Sequence, residues 1–180
     1  MSKLHLLLAL MPKGAPAART FTFVGSCISN GTSLDFSALS AGSVSAGDIM
    51  VYIDQAVNGA TTIPTAVTPS GFTNKINTSF GALSLYGRGM LSLKKAAGGE
   101  GVITGMNDTN MQKVGLVFRP STSFTSIVAN DIATELTAGN PASQNCDPSA
   151  ETVATIVLGV AACDAATAAF STASPAFDGT

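Results

Sequence analysis

Apolar and polar residues alternate along residues 83–94, which read LSLYGRGMLSLK. This period of two predicts a β-strand with one face on a core and the other toward solvent. The leucines share the core face with Gly87 and Gly89, whereas Arg88 and Ser92 fall on the solvent face. We therefore expect Arg88 to be a surface residue. The two glycines then allow a bulge or a close approach by the opposite sheet, and the Gly-Arg-Gly text marks a bend in a long strand and not a catalytic arginine.

Other segments also predict strands, separated by clusters of Gly, Pro, Asn and Ser. The run DIMVYID is apolar between Asp48 and Asp54, which predicts a strand buried on both faces with an aspartate capping a turn at each end. The text NDTNMQ predicts a turn. The predicted strand KVGLVFRP follows this turn and ends at Pro120. These features favour an all-β domain over residues 20–180, an antiparallel sandwich or barrel. The remaining strand candidates are RTFTFVGS, EGVITGM, KVGLVFRP, FTSIVAND and ETVATIVLGVAACDA.

The first nineteen residues differ from the rest because large apolar side chains crowd into a short run. Pro12, Gly14 and Pro16 separate this run from the first strand. We predict an N-terminal arm, residues 1–19, that packs on another copy or another protein. A terminal helix folded back on its own domain and a secretory signal peptide are the alternatives, although His5 and Lys13 interrupt the signal-peptide pattern. The expected assembly contacts are Leu4, Leu6, Leu7, Leu8, Leu10 and Met11.

The number and distribution of charged residues indicate which partners the chain can bind. Charged residues make up 11% of the chain, against about 25% in ordinary proteins. All nine Lys and Arg lie at or before Arg119, whereas the chain from Pro120 onward holds six carboxylates and no basic residue. The two parts therefore attract each other within a chain or between copies. Without basic clusters and interleaved aromatics we predict no nucleic-acid partner, and without a long apolar run we predict no membrane span.

The candidates for catalysis are few. His5 is the only histidine, which leaves no core histidine for a catalytic triad or a zinc site. Asp48 and Asp54 are a tempting carboxylate pair, but six residues of strand place them roughly 20 Å apart. We predict that the chain is not an enzyme and holds no cofactor or metal. A hydrolase whose carboxylates are brought together only by the fold stays open as an alternative.

The cysteines are odd in number and show no C-x-x-C spacing. Their apolar surroundings predict free, buried thiols at Cys27, Cys146 and Cys163. A disulfide between Cys146 and Cys163 is the alternative if the two lie on neighbouring strands. A loop calcium site near Asn107 is a further alternative.

Several short motifs carry a resemblance that spans the chain from Phe21 onward. A Gly47-Asp48 pair opens an apolar strand, PSGFT forms a turn at residues 69–73, a strand ends near Arg119, and an Asn-Pro loop at residues 140–141 precedes a later strand. This succession resembles small β-rich structural proteins of tailed bacteriophages. The resemblance implies a virion protein with a β-sandwich, jelly-roll-like fold. It carries no catalytic residues.

The resemblance implies an accessory subunit of the virion that forms a homo-oligomer and docks on other virion proteins of the capsid or tail. The alternative function is a secreted or surface module that binds carbohydrate. Such modules present an aromatic platform, and this chain offers only Tyr52 and Tyr86, with no tryptophan.

Overall fold

A computed structural model describes residues 20–58, 66–82, 85–104 and 111–125. The predicted arm, residues 1–19, lies outside the described residues. So do the strands predicted within residues 126–131 and 151–165.

The described residues form seven strands and no helix. All strand pairs are antiparallel. The all-β, antiparallel expectation is therefore confirmed for this part of the chain. A five-stranded sheet has the order β1-β7-β3-β5-β4, and β2 and β6 form a separate ribbon. The strands are β1 Phe21–Ser29, β2 Ser33–Asp35, β3 Ile49–Asn58, β4 Thr73–Ala82, β5 Leu85–Lys95, β6 Val102–Thr104 and β7 Met111–Pro120.

Strand β3 is the middle of the larger sheet and is buried on both faces, as its continuous apolar run predicts. Met50 and Tyr52 point to the side on which the β2–β6 ribbon packs, which we call the ribbon face. Ile49, Val51 and Ile53 point to the other side, which we call the aliphatic face. Two separate apolar clusters therefore share this one strand.

The ribbon face is closed by Leu34 and Phe36, which pack with Met50, Tyr52 and Val117. The backbone N–H of Phe36 donates to the carbonyl of Gly101 at 3.1 Å and holds the two halves of the ribbon together. The phenyl ring of Phe36 reaches the sheet above Gly115, where a side chain would fill the same space. The ribbon therefore approaches the sheet closely at this point.

The aliphatic face is lined by Leu91 and Leu93 of β5 next to the isoleucines and valine of β3. Phe124 packs against this cluster after β7 has ended. Lys95 secures it: its Nζ donates to the Phe124 carbonyl and lies 4.7 Å from the centre of the ring. The chain after β7 therefore crosses the aliphatic face as far as β5.

The predicted solvent face of β5 is wrong. Met90 and Ser92 are 1% and 0% exposed, because the ribbon-face cluster covers them. Arg88 shares their face and is half-buried, and its Nη1 donates to the Asn77 side-chain oxygen at 3.1 Å. The core assignment of Leu91 and Leu93 is confirmed. Alternation shows that two faces exist, but it does not show that a second layer covers the more polar one.

The predicted bulge at Gly-Arg-Gly is also absent, since β5 pairs with β3 through residues 87–89 without a shift in register. The shifts lie elsewhere, between Asn74 and Ile76 of β4 and between Phe23 and Gly25 of β1. Sequence analysis missed β2, which has three residues, and β4, whose polar residues conceal its alternation. Periodicity is weak evidence for a short strand or for one at the edge of a sheet.

The turn before β4 forms where the sequence predicts it, at residues 69–73. Gly71 has φ of 80°, which a residue with a Cβ rarely adopts, and the Phe72 N–H donates to the Pro69 carbonyl at 3.1 Å. Phe72 then enters the ribbon-face cluster, with its ring 6.1 Å from that of Tyr52. The turn thus delivers an aromatic side chain to the core.

Gly115→Ala should destabilise the fold by about 1–3 kcal/mol, because overpacking forces a tight core to shift. The new Cβ would lie 2.7 Å from Cys27 Sγ and 2.8 Å from the Phe36 ring. Gly101→Ala is the matched control, since nothing lies within 4 Å of its added Cβ. Chemical denaturation of both variants checks this. Equal stability of the two would show that the ribbon does not approach the sheet at Gly115.

Candidate functional site

A bidentate ion pair joins the start of β3 to the end of β7. Arg119 Nε donates to Asp48 Oδ1 at 2.9 Å, and its Nη2 donates to Asp48 Oδ2 at 2.7 Å. The same Nη2 also reaches the Ser43 carbonyl at 2.9 Å and the Ser45 hydroxyl at 2.8 Å. One guanidinium therefore ties the 43–48 segment to the sheet.

The local sequence explains why the two charges meet. Ile49 pairs with Phe118 at this end of the β3–β7 ladder, so that the next residues along, Asp48 and Arg119, face each other. Gly47 has φ of 89°, which lets the chain turn into β3, and the Ser45 N–H donates to Asp48 Oδ2 at 2.8 Å. Asp48 thus caps the turn as predicted, and in addition it accepts two hydrogen bonds from Arg119.

The carboxylate is buried, with only 2% of its side chain exposed, whereas the Arg119 side chain is 44% exposed. Burial raises the pKa of Asp48, but hydrogen bonds from Arg119 and the Ser45 N–H and the nearby positive charge outweigh burial. The pKa of Asp48 is therefore below its ordinary value of 3.8. The Asp48 hydrogen bonds and charge raise the pKa of Arg119. The pair stays charged at neutral pH.

A second polar group lies farther along the ribbon face, in the interior. The Tyr52 hydroxyl donates to Asp54 Oδ2 at 2.7 Å, and both residues are fully buried. Asp54 was predicted to cap a turn at the end of its strand, and that prediction is wrong. It lies within β3, which continues to Asn58. There it sits opposite Met90 on one side and Lys113 on the other.

Burial dominates the electrostatics of this group. It raises the pKa of Asp54, although the Tyr52 hydrogen bond and the Lys113 charge act in the opposite direction. It also raises the pKa of Tyr52, and the neighbouring carboxyl adds to that rise. Asp54 Oδ1 and Ser92 Oγ are buried and have no hydrogen-bond partner. Unpartnered buried polar atoms lower the free energy of unfolding, so Asp54 and Ser92 reduce the stability of the fold.

The fold does not bring the two aspartates together. Asp48 and Asp54 are separated by six residues of extended chain, roughly 20 Å. They project from the same face of β3, but at two different places on it. Within the described ranges, no three His, Cys, Asp or Glu side chains stand close enough to hold a metal ion. None of the described residues forms a helix long and apolar enough to cross a membrane.

Cys27 is a free thiol in the ribbon-face cluster, as predicted. Burial raises its pKa to about 11, with the Asp35 charge adding to the rise and the Gly115 hydrogen bond opposing it. The thiol is therefore protonated at neutral pH and is a poor nucleophile. Cys146 and Cys163 lie outside the described residues.

Some residues predicted for function lie outside the described residues, and the others lie in the core or in the ion pair. The predicted assembly contacts of the arm, from Leu4 to Met11, lie outside the described residues, as does the side chain of Tyr86. Tyr52 is fully buried. Among the motifs behind the phage resemblance, Asp48 and Arg119 are in contact. Sequence analysis placed both at strand ends but did not pair them.

Comparison with known proteins identifies no relative: no family model, curated protein or solved structure matches the chain.

Asp48→Asn should lower stability by about 1–3 kcal/mol at pH 7, because it removes the charge from a hydrogen-bonded pair. The lower half of that range is expected, since water reaches the partly exposed Arg119. The Asp48 pKa is depressed in the folded state, so its contribution is complete above the unfolded value and is lost as pH falls through the folded value.

The stability difference between Asp48→Asn and the unaltered protein should therefore be largest near neutral pH and shrink below pH 3.8. Urea denaturation of both proteins across this range measures it. Asp54 is present in both, so its own titration cancels to first order. A difference that does not change with pH would contradict the assigned role of the carboxylate.

Tyr52→Phe should cost about 1–3 kcal/mol, because it leaves the buried Asp54 carboxyl without its hydroxyl donor. Ser92→Ala is the matched change on the opposite strand, and should leave stability unchanged or raise it, because it removes a buried hydroxyl that has no partner. Thermal unfolding of both variants checks the contrast. A large loss for Ser92→Ala would mean that its hydroxyl has a partner, such as an internal water.

Proposed function

We propose that this chain is an accessory structural subunit of a tailed-bacteriophage virion, which self-associates and docks on the capsid or tail. The observation that carries the proposal is the joint role of the motifs behind the phage resemblance. Asp48 and Arg119 form one ion pair, and the 69–73 turn places Phe72 in the core below β3. Three of the four motifs therefore have structural roles in the described residues, and the Asn-Pro motif at residues 140–141 lies outside them.

The proposed architecture is a β-sandwich of jelly-roll type. Two observations support it: the ribbon packs on one face of the larger sheet, and side chains on the other face, including Val51 and Leu93, are also buried. A sheet that buries both faces needs a layer on each side. The strands predicted beyond Thr125 are candidates for further members of these layers.

The surface chemistry agrees with assembly. Few charged residues and many Ser, Thr and Asn residues reduce the desolvation cost when one copy packs against another. The separation of basic residues from the acidic C-terminal part favours contacts between unlike regions of neighbouring copies. For the alternative of a carbohydrate-binding module, Tyr52 is buried and cannot serve as a platform for sugar rings, and the side chain of Tyr86 lies outside the described residues.

The proposal predicts that the purified full chain forms a homo-oligomer and that its peptides occur in purified phage particles. Light scattering after size-exclusion chromatography measures the first, and mass spectrometry of purified particles the second. Labelling in electron micrographs would distinguish capsid from tail. A chain that is monomeric at every concentration and missing from particles would contradict the proposal.

The arm gives a second expectation. A chain that begins at Thr20 should fold, because the first strand starts at Phe21, but should assemble poorly. Circular dichroism checks folding, and light scattering checks assembly. If the shortened chain oligomerises and joins particles like the full chain, the arm has no role in assembly.

A further inference from the structure

An apolar stripe remains exposed at one side of the aliphatic face. Phe23 and Ile28 of β1 are 53% and 64% exposed. The strand register places Phe23 opposite Phe118 and Ile28 opposite Val114, and Leu116 lies between those two β7 residues. We call these five residues the β1–β7 stripe. Its β7 members are half-buried, so the stripe is continuous with the buried cluster of β3 and β5.

The stripe is more than two scattered hydrophobic residues. The Phe23 and Phe118 rings pack with centroids 5.5 Å apart, so the exposed ring is already held in place. The register places no charged residue on this face of β1 or β7: Ser26 and Gln112 are its only polar positions in the two strands. A preformed, uncharged apolar surface fits an apolar peptide segment and not an ionic ligand.

We infer that the β1–β7 stripe binds residues 4–11, the apolar part of the N-terminal arm, of a second copy of this chain. These residues are the most densely apolar segment outside the described residues, with six large apolar side chains in eight positions. In extended form they span roughly 23 Å, about the length of β1 from Phe21 to Ile28. The inference rests on the self-association in the proposed function and names the surface that performs it.

The position of the two chain ends favours the arm over the C-terminal part. The arm joins the fold at Thr20, directly before β1 and beside the stripe. The C-terminal part instead departs from Phe124, which Lys95 holds over β5, three strands away from β1. The C-terminal part therefore starts over the half of the aliphatic face that is already buried.

A second copy is favoured over the chain's own arm because the proposed self-association requires a contact between molecules. Pro12 and Pro16, between residues 4–11 and β1, favour an extended connection that carries residues 4–11 away from their own domain.

Substitution in the full chain tests the surface. Ile28→Asp places a charge in the stripe and should weaken self-association by about tenfold or more. Val102→Asp is the matched control, since Val102 is 57% exposed on β6 of the ribbon, away from the stripe. Replacing Leu6, Leu8 and Leu10 together with serine should weaken association as Ile28→Asp does. Sedimentation velocity measures association, and thermal unfolding verifies that each variant is folded.

Photo-crosslinking tests the occupant directly. A benzophenone amino acid replaces Leu7 in the full chain, and equal amounts of unlabelled and heavy-nitrogen-labelled protein are mixed, dissociated and reassembled before illumination. The inference predicts cross-links between unlike isotopes, with the attachment point in β1 or in residues 114–118. Mass spectrometry of the digested product identifies both partners of each cross-link.

Each other outcome overturns the inference in a recognisable way. Cross-links confined to one isotope would show that the arm folds on its own domain. Attachment to the ribbon or to residues 126–180 would show a different receptor. An oligomer that survives both Ile28→Asp and the arm substitutions would leave the proposed self-association standing but remove the stripe as its site. A monomeric full chain would contradict the inference and the self-association together.

Discussion

The ion pair between Asp48 and Arg119 joins parts of the chain that are seventy-one residues apart. Its guanidinium donates to two carboxylate oxygens, a carbonyl and a hydroxyl, so one side chain holds both the turn before β3 and the end of β7. The segment before this turn also lies against β1, where the Ser40 N–H donates to the Ser26 carbonyl at 2.7 Å. Contacts of the 40–48 segment therefore link β1, β3 and β7.

The β3–β7 ladder repeats the same arrangement of charge at two positions. Asp48 faces Arg119 at one end, and Asp54 lies opposite Lys113 six residues farther along. The first pair meets water on the arginine side and keeps its carboxylate ionised, whereas the second position is buried, and burial raises the pKa of its carboxyl. The difference follows from solvent access, because burial disfavours the charged form of a carboxyl. The two sites thus have opposite effects on how stability varies with pH.

Burial of both faces is the second constraint on the fold. The ribbon covers one face, while the aliphatic face is buried over β3 and β5 but leaves the β1–β7 stripe exposed. The sheet is therefore covered on its ribbon face, whereas its aliphatic face has room for a further apolar surface along β1 and β7. The proposed virion function and the proposed arm contact both use this part of the aliphatic face. Neither requires chemistry at the buried Tyr52–Asp54 group.

Alternation and turn chemistry are sufficient to predict the all-β class of the described residues, the two-sided burial of β3 and the 69–73 turn, and apolar neighbours predict the buried Cys27 thiol. Each depends on neighbours in sequence: an unbroken apolar run, a glycine with positive φ, or a thiol among apolar residues. The same local reasoning correctly placed Asp48 and Arg119 at the ends of strands, whereas it placed Asp54 at a strand end that the structure does not have. It gave no means of pairing them, because the pairing depends on which strands lie side by side.

Only the tertiary structure decided the environment of β5. Its alternating pattern is real, and both of its faces are separate surfaces, but the ribbon packs on the face that carries Met90 and Ser92. The ribbon includes a three-residue strand with no periodicity of its own, so its position could not be inferred from the pattern of β5. The sequence by itself determined which residues share a face. Which faces are buried was decided by long-range packing, since burial depends on the partner surface and not on the strand alone.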